Sequence, residues 1–207
     1  MSACPNLNDG LRTHRPSPSP ALESLDLKSH QDRFKAVPLH LVKPEGQLHI
    51  HTAPYRGSFS MVLSTAIRTA GLGSRVMIAQ FLKGGVNQGP EGSIDLCGKL
   101  SWIRPAIERC IPMQSPTNKR RSHSEPETKA VQTIWEICRK HLLKGDLDQL
   151  VLDEIGLAIS LGYLNNEIVM EALEQRPRTM DIILTGPSIP EPIMTMADQI
   201  TELRFGI

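Results

Sequence analysis

The sequence predicts an α/β fold with a mostly parallel sheet and helices on both of its faces. Three observations carry that expectation. From Leu48 onward, short apolar runs alternate with segments of helical period. One of the runs, Leu150-Val151-Leu152, is continuously apolar and ends in Asp153-Glu154, the form of a strand buried on both faces. The first run, Leu48-His49-Ile50-His51, leads through a glycine-containing loop straight into a helix.

The elements follow in order. Residues 1–46 are set apart by Arg15-Pro16-Ser17-Pro18-Ser19-Pro20 and polar flanks, a composition that buries too little surface to offset ordering entropy. They are expected to be a flexible tail, and 47–207 the domain. After the strand at 48–51, apolar residues at Phe59, Met61, Val62, Leu63, Ala66 and Ile67 predict a helix over 58–70, stopped by Gly71 and Gly73. Residues 75–81 read as a second strand and 100–103 as a third. The stretch 115–127, rich in Ser, Pro and charge, reads as a long polar loop. Val131, Ile134, Trp135 and Cys138 lie on one side of a helix over about 128–143. Beyond the strand that ends at Asp153-Glu154, an Asn-capped helix runs from near Asn166 to Gln175 and is closed by Pro177. Strands over 180–184 and 200–205 complete the sheet.

Composition narrows the function. The 207 residues are 40% hydrophobic with a formal charge of +1, which fits one soluble domain with an appendage and gives no general attraction to nucleic acid. The cluster Lys119-Arg120-Arg121 reads as a solvated loop within a polar stretch. Cys4, Cys97, Cys110 and Cys138 show neither a CxxC pair nor metal-ligand spacing, and read as reduced, mostly buried thiols. No apolar run approaches the roughly 20 residues that span a bilayer. No membrane partner and a cytoplasmic location are the expectations.

In an open parallel sheet, ligands bind outside the carboxyl ends of the strands. Three segments fall there: residues 52–60, Asp153-Glu154, and Thr185-Gly186-Pro187. The first sits where a phosphate loop belongs, and such a loop supplies Gly-Lys-Ser/Thr so that a cation and a metal-binding hydroxyl reach the terminal phosphates. Here those positions hold Gly57, Ser58 and Phe59, with Ser60 one residue further on. Arg56 is the natural substitute cation, since a guanidinium can grip phosphate with two parallel bonds. Tyr55 could stack on a base or simply pack. Asp153 has the form of the acid that orients magnesium, with Glu154 beside it as base or partner, although Asp153 could equally cap a helix starting at Glu154. Lys83 ends the second strand, within reach of a phosphate or of solvent. His49 and His51 share one strand face and read as a hydrogen-bonded structural pair rather than metal ligands.

The order of segments resembles that of the P-loop ATP:corrinoid adenosyltransferases. The resemblance is carried by 52–57 after the first strand, Ala66-Ile67-Arg68-Thr69-Ala70-Gly71, Gln80-Phe81-Leu82-Lys83-Gly84, Leu150-Val151-Leu152-Asp153-Glu154, Gly162-Tyr163-Leu164, Ala172-Leu173 with Arg176-Pro177, Leu184-Thr185-Gly186, and Ala197-Asp198-Gln199-Ile200-Thr201-Glu202-Leu203-Arg204. It covers residues 47–205. It implies a P-loop NTPase-like three-layer sandwich and transfer of the 5′-deoxyadenosyl group of ATP to a cobalt(I) corrinoid in cobalamin biosynthesis. It also implies magnesium as cofactor and a homodimer.

By that resemblance, Thr52, Ala53, Pro54, Tyr55, Arg56, Gly57, Ser58, Phe59 and Ser60 hold the triphosphate, joined by Lys83, Thr185 and Gly186. Asp153 and Ser60 hold the metal, and Asp153, Glu154 and Arg56 are the catalytic set. The family's loop resembles Thr-Gly-Asn-Gly-Lys-Gly-Lys-Thr-Thr, so this chain departs from it: the second lysine is absent, Pro54 removes one N–H donor, and Arg56 keeps one positive charge at the first lysine. The family's Gly-Phe-x-Trp motif is replaced by Pro105-Ala106-Ile107-Glu108-Arg109-Cys110. The alternative that these departures raise is a non-catalytic, P-loop-fold protein that binds a nucleotide, a corrinoid or a protein partner and regulates. A nucleotide hydrolase is a third reading.

Overall fold

The computed structural model of the chain describes residues 44–57, 59–85, 89–96, 98–113 and 124–204. The expected tail lies outside them as far as residue 43. So do Ser58, Cys4, Cys97, the basic cluster at 119–121 and most of the polar loop.

Seven strands form one sheet: β1 (Leu48–Thr52), β2 (Val76–Gln80), β3 (Ile94–Leu96), β4 (Leu100–Ile103), β5 (Gln149–Asp153), β6 (Asp181–Thr185) and β7 (Gln199–Glu202). Their order across the sheet is β3-β4-β2-β5-β6-β1-β7. Every pairing is parallel except β3 with β4, a short antiparallel edge. β3 escapes sequence reading because its three residues are all exposed and carry no burial signature. All five residues of β2 and of β5 are buried, and this two-sided burial is what their continuous apolar character encodes.

The helices are α1 (Ser60–Gly71), α2 (Glu125–Lys144), α3 (Ile155–Ser160), α4 (Asn166–Glu174) and α5 (Glu191–Thr195). They lie on opposite faces. Val62, Ala66 and Ala70 of α1 share an apolar cluster with Val76, Ile78, Leu100, Val151 and Ile183. The other helices cover the second face, with Ile134 and Leu142 of α2, Leu157 of α3, Val169 of α4 and Ile193 of α5 clustered with Met77, Leu150, Leu152 and Leu184. Alternate residues of β2, β5 and β6 therefore feed alternate layers.

The starts of α2 and α1 differ from expectation, while α4 begins at Asn166 behind an asparagine cap as expected. α2 begins at Glu125, where the Ser124 hydroxyl accepts from the Glu127 N–H and a proline follows at the start, so the last residues of the expected loop are helical. α4 is capped by Asn165, whose Oδ1 accepts from Glu167 and Ile168 N–H at 2.7 and 3.2 Å. α1 begins at Ser60 rather than 58, with Phe59 in the cap position and no side-chain cap bond. Of the two described cysteines, Cys138 is buried, as expected, and Cys110 is exposed. Burial pushes the Cys138 thiol well up from its ordinary pKa.

Candidate functional site

The carboxyl ends of β1, β2, β5 and β6 lie along one edge of the sheet. Register brings residues at these ends side by side: Gln80 pairs with Asp153, and His51 with Thr185. The chain leaves β2 toward β4 on one side, and β5 lies on the other, so this edge holds the crevice where an open α/β sheet binds ligands.

Asp153 is fully buried, and both oxygens of its carboxylate are engaged by side chains. Oδ1 accepts from Thr185 Oγ1 at 2.5 Å, and Oδ2 accepts from Gln80 Nε2 at 2.6 Å and Lys83 Nζ at 2.9 Å. It does not cap a helix. The residue preceding α3 is Glu154, in the left-handed region at φ 64°, and its side chain makes no cap bond. Glu154 N–H donates to Thr185 Oγ1 at 3.2 Å, so that one hydroxyl joins both acids.

Glu154 faces Arg56. Its two oxygens accept from Nε at 2.7 Å and Nη2 at 2.8 Å, a bidentate pair. Nη1 also donates to Ile111 O at 2.5 Å, and Nη2 to Leu82 O at 3.4 Å. The bond to Glu154 holds the guanidinium above its ordinary pKa, against the opposing effect of burial. Arg56 thus ties the loop after β1 to the loops after β2 and β4, and the parallel pair of bonds expected for a phosphate is made to a carboxylate within the protein.

Three side chains of the network, Gln80, Trp102 and Arg104, were not assigned to the site from sequence. Gln80 is buried, and its Oε1 accepts from Trp102 Nε1 at 3.0 Å and Arg104 Nε at 2.7 Å. With Nε2 on Asp153, both ends of the amide are fixed. Arg104 also lies over the Trp102 ring, 5.7 Å from its centroid. A glutamine closing the apolar run Val76-Met77-Ile78-Ala79 was the available signal, because a polar side chain on a strand buried throughout demands partners.

The remaining expected site residues are spread along the same edge. Thr52 ends β1, Ala53 is buried, Pro54 is exposed and Tyr55 packs at the margin of the α1 cluster. Gly57 sits against the Tyr55 ring, 3.0 Å from where a Cβ would stand. Phe59 is 4% exposed and belongs to the core between α1 and the sheet. Ser60, the first residue of α1, is exposed. Gly186 adopts φ +116°, its N–H donates to His51 O at 3.1 Å, and a Cβ there would stand 3.0 Å from Glu154 Cα. His49 bonds to the Gln47 side chain at 2.7 Å instead of to His51.

The donor set does not fit a resident magnesium ion. Such an ion needs an oxygen at the helix start and a carboxylate with an open oxygen. Phe59 offers none, Ser60 is exposed on the first turn of α1 and makes no hydrogen bond to either acid, and every oxygen of Asp153 and Glu154 already accepts a donor. Among the described residues, no three His, Cys, Asp or Glu side chains cluster as metal ligands would.

Fold and site together define an α/β protein with a buried acid pair at the carboxyl edge of its sheet, facing the loop between the first strand and the first helix. The family model described as ATP:corrinoid adenosyltransferase BtuR/CobO/CobP matches residues 44–205. The chain belongs to the ATP:corrinoid adenosyltransferase family. It is 28% identical over 159 residues to the corrinoid adenosyltransferase of Escherichia coli strain K12, covering 77% of this chain and 76% of that one. The corrinoid adenosyltransferase CobA of Salmonella typhimurium is 28% identical over 174 residues, 84% of each chain. That of Pseudomonas aeruginosa is 24% identical over 160 residues.

Proposed function

We propose that this chain is an ATP:cobalt(I) corrinoid adenosyltransferase on a P-loop NTPase-like three-layer sandwich. In that reaction the cobalt attacks C5′ of ATP; a cobalt–carbon bond forms, the C5′–oxygen bond breaks, and triphosphate leaves with the bonding pair. The cobalt is the nucleophile, so the protein has to orient the two substrates and stabilise the charge on the leaving group.

The observation that supports this reading is the acid pair at the end of β5, joined by Arg56 to the loop after β1 and by Thr185 to β6. Lys83 is the cation nearest to delivering charge. Its side chain is 22% exposed and its ammonium spends one bond on Asp153, leaving donors for a triphosphate oxygen. Asp153 aims Lys83, Thr185 and Gly186 frame the floor, and residues 52–57 with Ser60 form the rim. Arg104, beside Trp102, adds a further cation at the end of β4. A cytoplasmic protein that assembles as a homodimer fits this reading.

The test is an anaerobic assay with ATP and a cobalt(I) corrinoid, following the loss of the cobalt(I) absorbance and the polyphosphate released. The expected result is one triphosphate per alkylated corrinoid with no orthophosphate. Asp153→Asn is expected to lower kcat/KM by about a hundredfold or more. Orthophosphate release without alkylation, or bound ATP without turnover, would overturn the reading.

A further inference from the structure

The Arg56–Glu154 pair joins the loop after β1 to the acids at the end of β5, the two kinds of segment that hold a metal ion in phosphate-binding folds, and each half is taken up separately. On the loop side, the residue in the place of the metal-binding hydroxyl is Phe59, whose ring is buried with Ala53, Val62 and Val151. A water-filled coordination shell cannot form against that apolar surface without exposing the core beneath α1. On the sheet side, both oxygens of Glu154, itself 2% exposed, are held by one guanidinium. Asp153 is closed by Lys83, Gln80 and Thr185. The two acids carry two negative charges, and Arg56 and Lys83 return two positive ones, the charge of a single divalent ion delivered by two fixed side chains.

We propose that Arg56 and Lys83 together replace the divalent cation, so that this site takes its nucleoside triphosphate free of metal. The proposal rests on the adenosyltransferase reading for the identity of the ligand. Four of the five guanidinium donors of Arg56 are used inside the protein, so the residue acts as a fixed counter-ion that seals Glu154 while Lys83 meets the phosphates.

The experiment is calorimetric titration of ATP into the intact chain, once in excess EDTA and once in excess magnesium. Manganese binding, read by the loss of the free-ion paramagnetic signal, accompanies it. The expected result is ATP affinity in EDTA within about tenfold of that in magnesium, and no stoichiometric manganese uptake without nucleotide. Arg56→Ala, which uncovers Glu154, is expected to weaken ATP binding in EDTA by about a hundredfold and to regain part of it when manganese is added. Binding by the wild-type chain that appears only with magnesium would overturn the metal-free site and leave the adenosyltransferase reading standing. No binding under either condition would overturn both. The wild-type comparison needs no variant to fold.

Discussion

Gln80 shows how much a single buried amide settles. Its carbonyl takes two donors from the β4 side and its amino group takes one carboxylate, so replacing it leaves Trp102, Arg104 and Asp153 each short of a bond. Gln80→Leu is expected to destabilise the fold by about 1–3 kcal/mol for each buried group left unpaired, measured as a lower urea midpoint at unchanged slope. Residue types at this site were legible in sequence: Asp153, Glu154, Arg56, Lys83 and Thr185 all fall at strand ends or in the loop after the first strand. Their partners were not. Nothing in a linear reading couples Arg56 to Glu154, 98 residues away, because the contact exists only once β1 and β5 share a sheet edge. Phe59 is the converse, since a phenylalanine opening a helix announces itself as core, and the structure puts it there.

At the scale of elements, the ends of β5 and β6 are fitted to one another. Glu154 holds a left-handed backbone, and Gly186 approaches its Cα so closely that only a residue without a Cβ, at a φ that favours glycine, fits there. Gly186→Ala is expected to cost about 1–3 kcal/mol of stability. It should also weaken ATP binding, because Glu154 and its Arg56 partner must shift; thermal melting and calorimetry check the two effects separately. The strands that carry this junction were readable because their apolar runs are bounded by charges or glycine. α3 entered the sequence reading only as the helix that Asp153 could cap, because Ile155-Gly156-Leu157-Ala158 is buried throughout and has no polar face to set a helical period. α5 is five residues long and begins after Pro190 with Pro192 in its first turn, a pattern that also reads as loop.

Across the whole molecule, pH should act through a few groups at the sheet. Burial, and then the neighbouring His49, lower the pKa of His51 from its ordinary value, so the folded state disfavours its protonated form. That contribution is fully present above the unfolded value near 6.5 and is lost as pH falls below it. The melting temperature is expected to drop between about pH 7.5 and about pH 5.5, and to drop less in His51→Gln. A second loss belongs to strong acid, where Asp146, held down to about 2 by Lys144 and His141, becomes protonated. The sheet order carries a consequence of another kind. β1, the first strand described, lies between β6 and β7, and the amide just before it bonds to Asp181, 134 residues further along the chain. Emerging from a ribosome at about 5–20 residues per second, β1 and the apolar side of α1 wait on the order of ten seconds before their neighbours exist. Contacts of such long range slow folding, so nascent chains halted before β6 should be the species that chaperones hold and proteases cut.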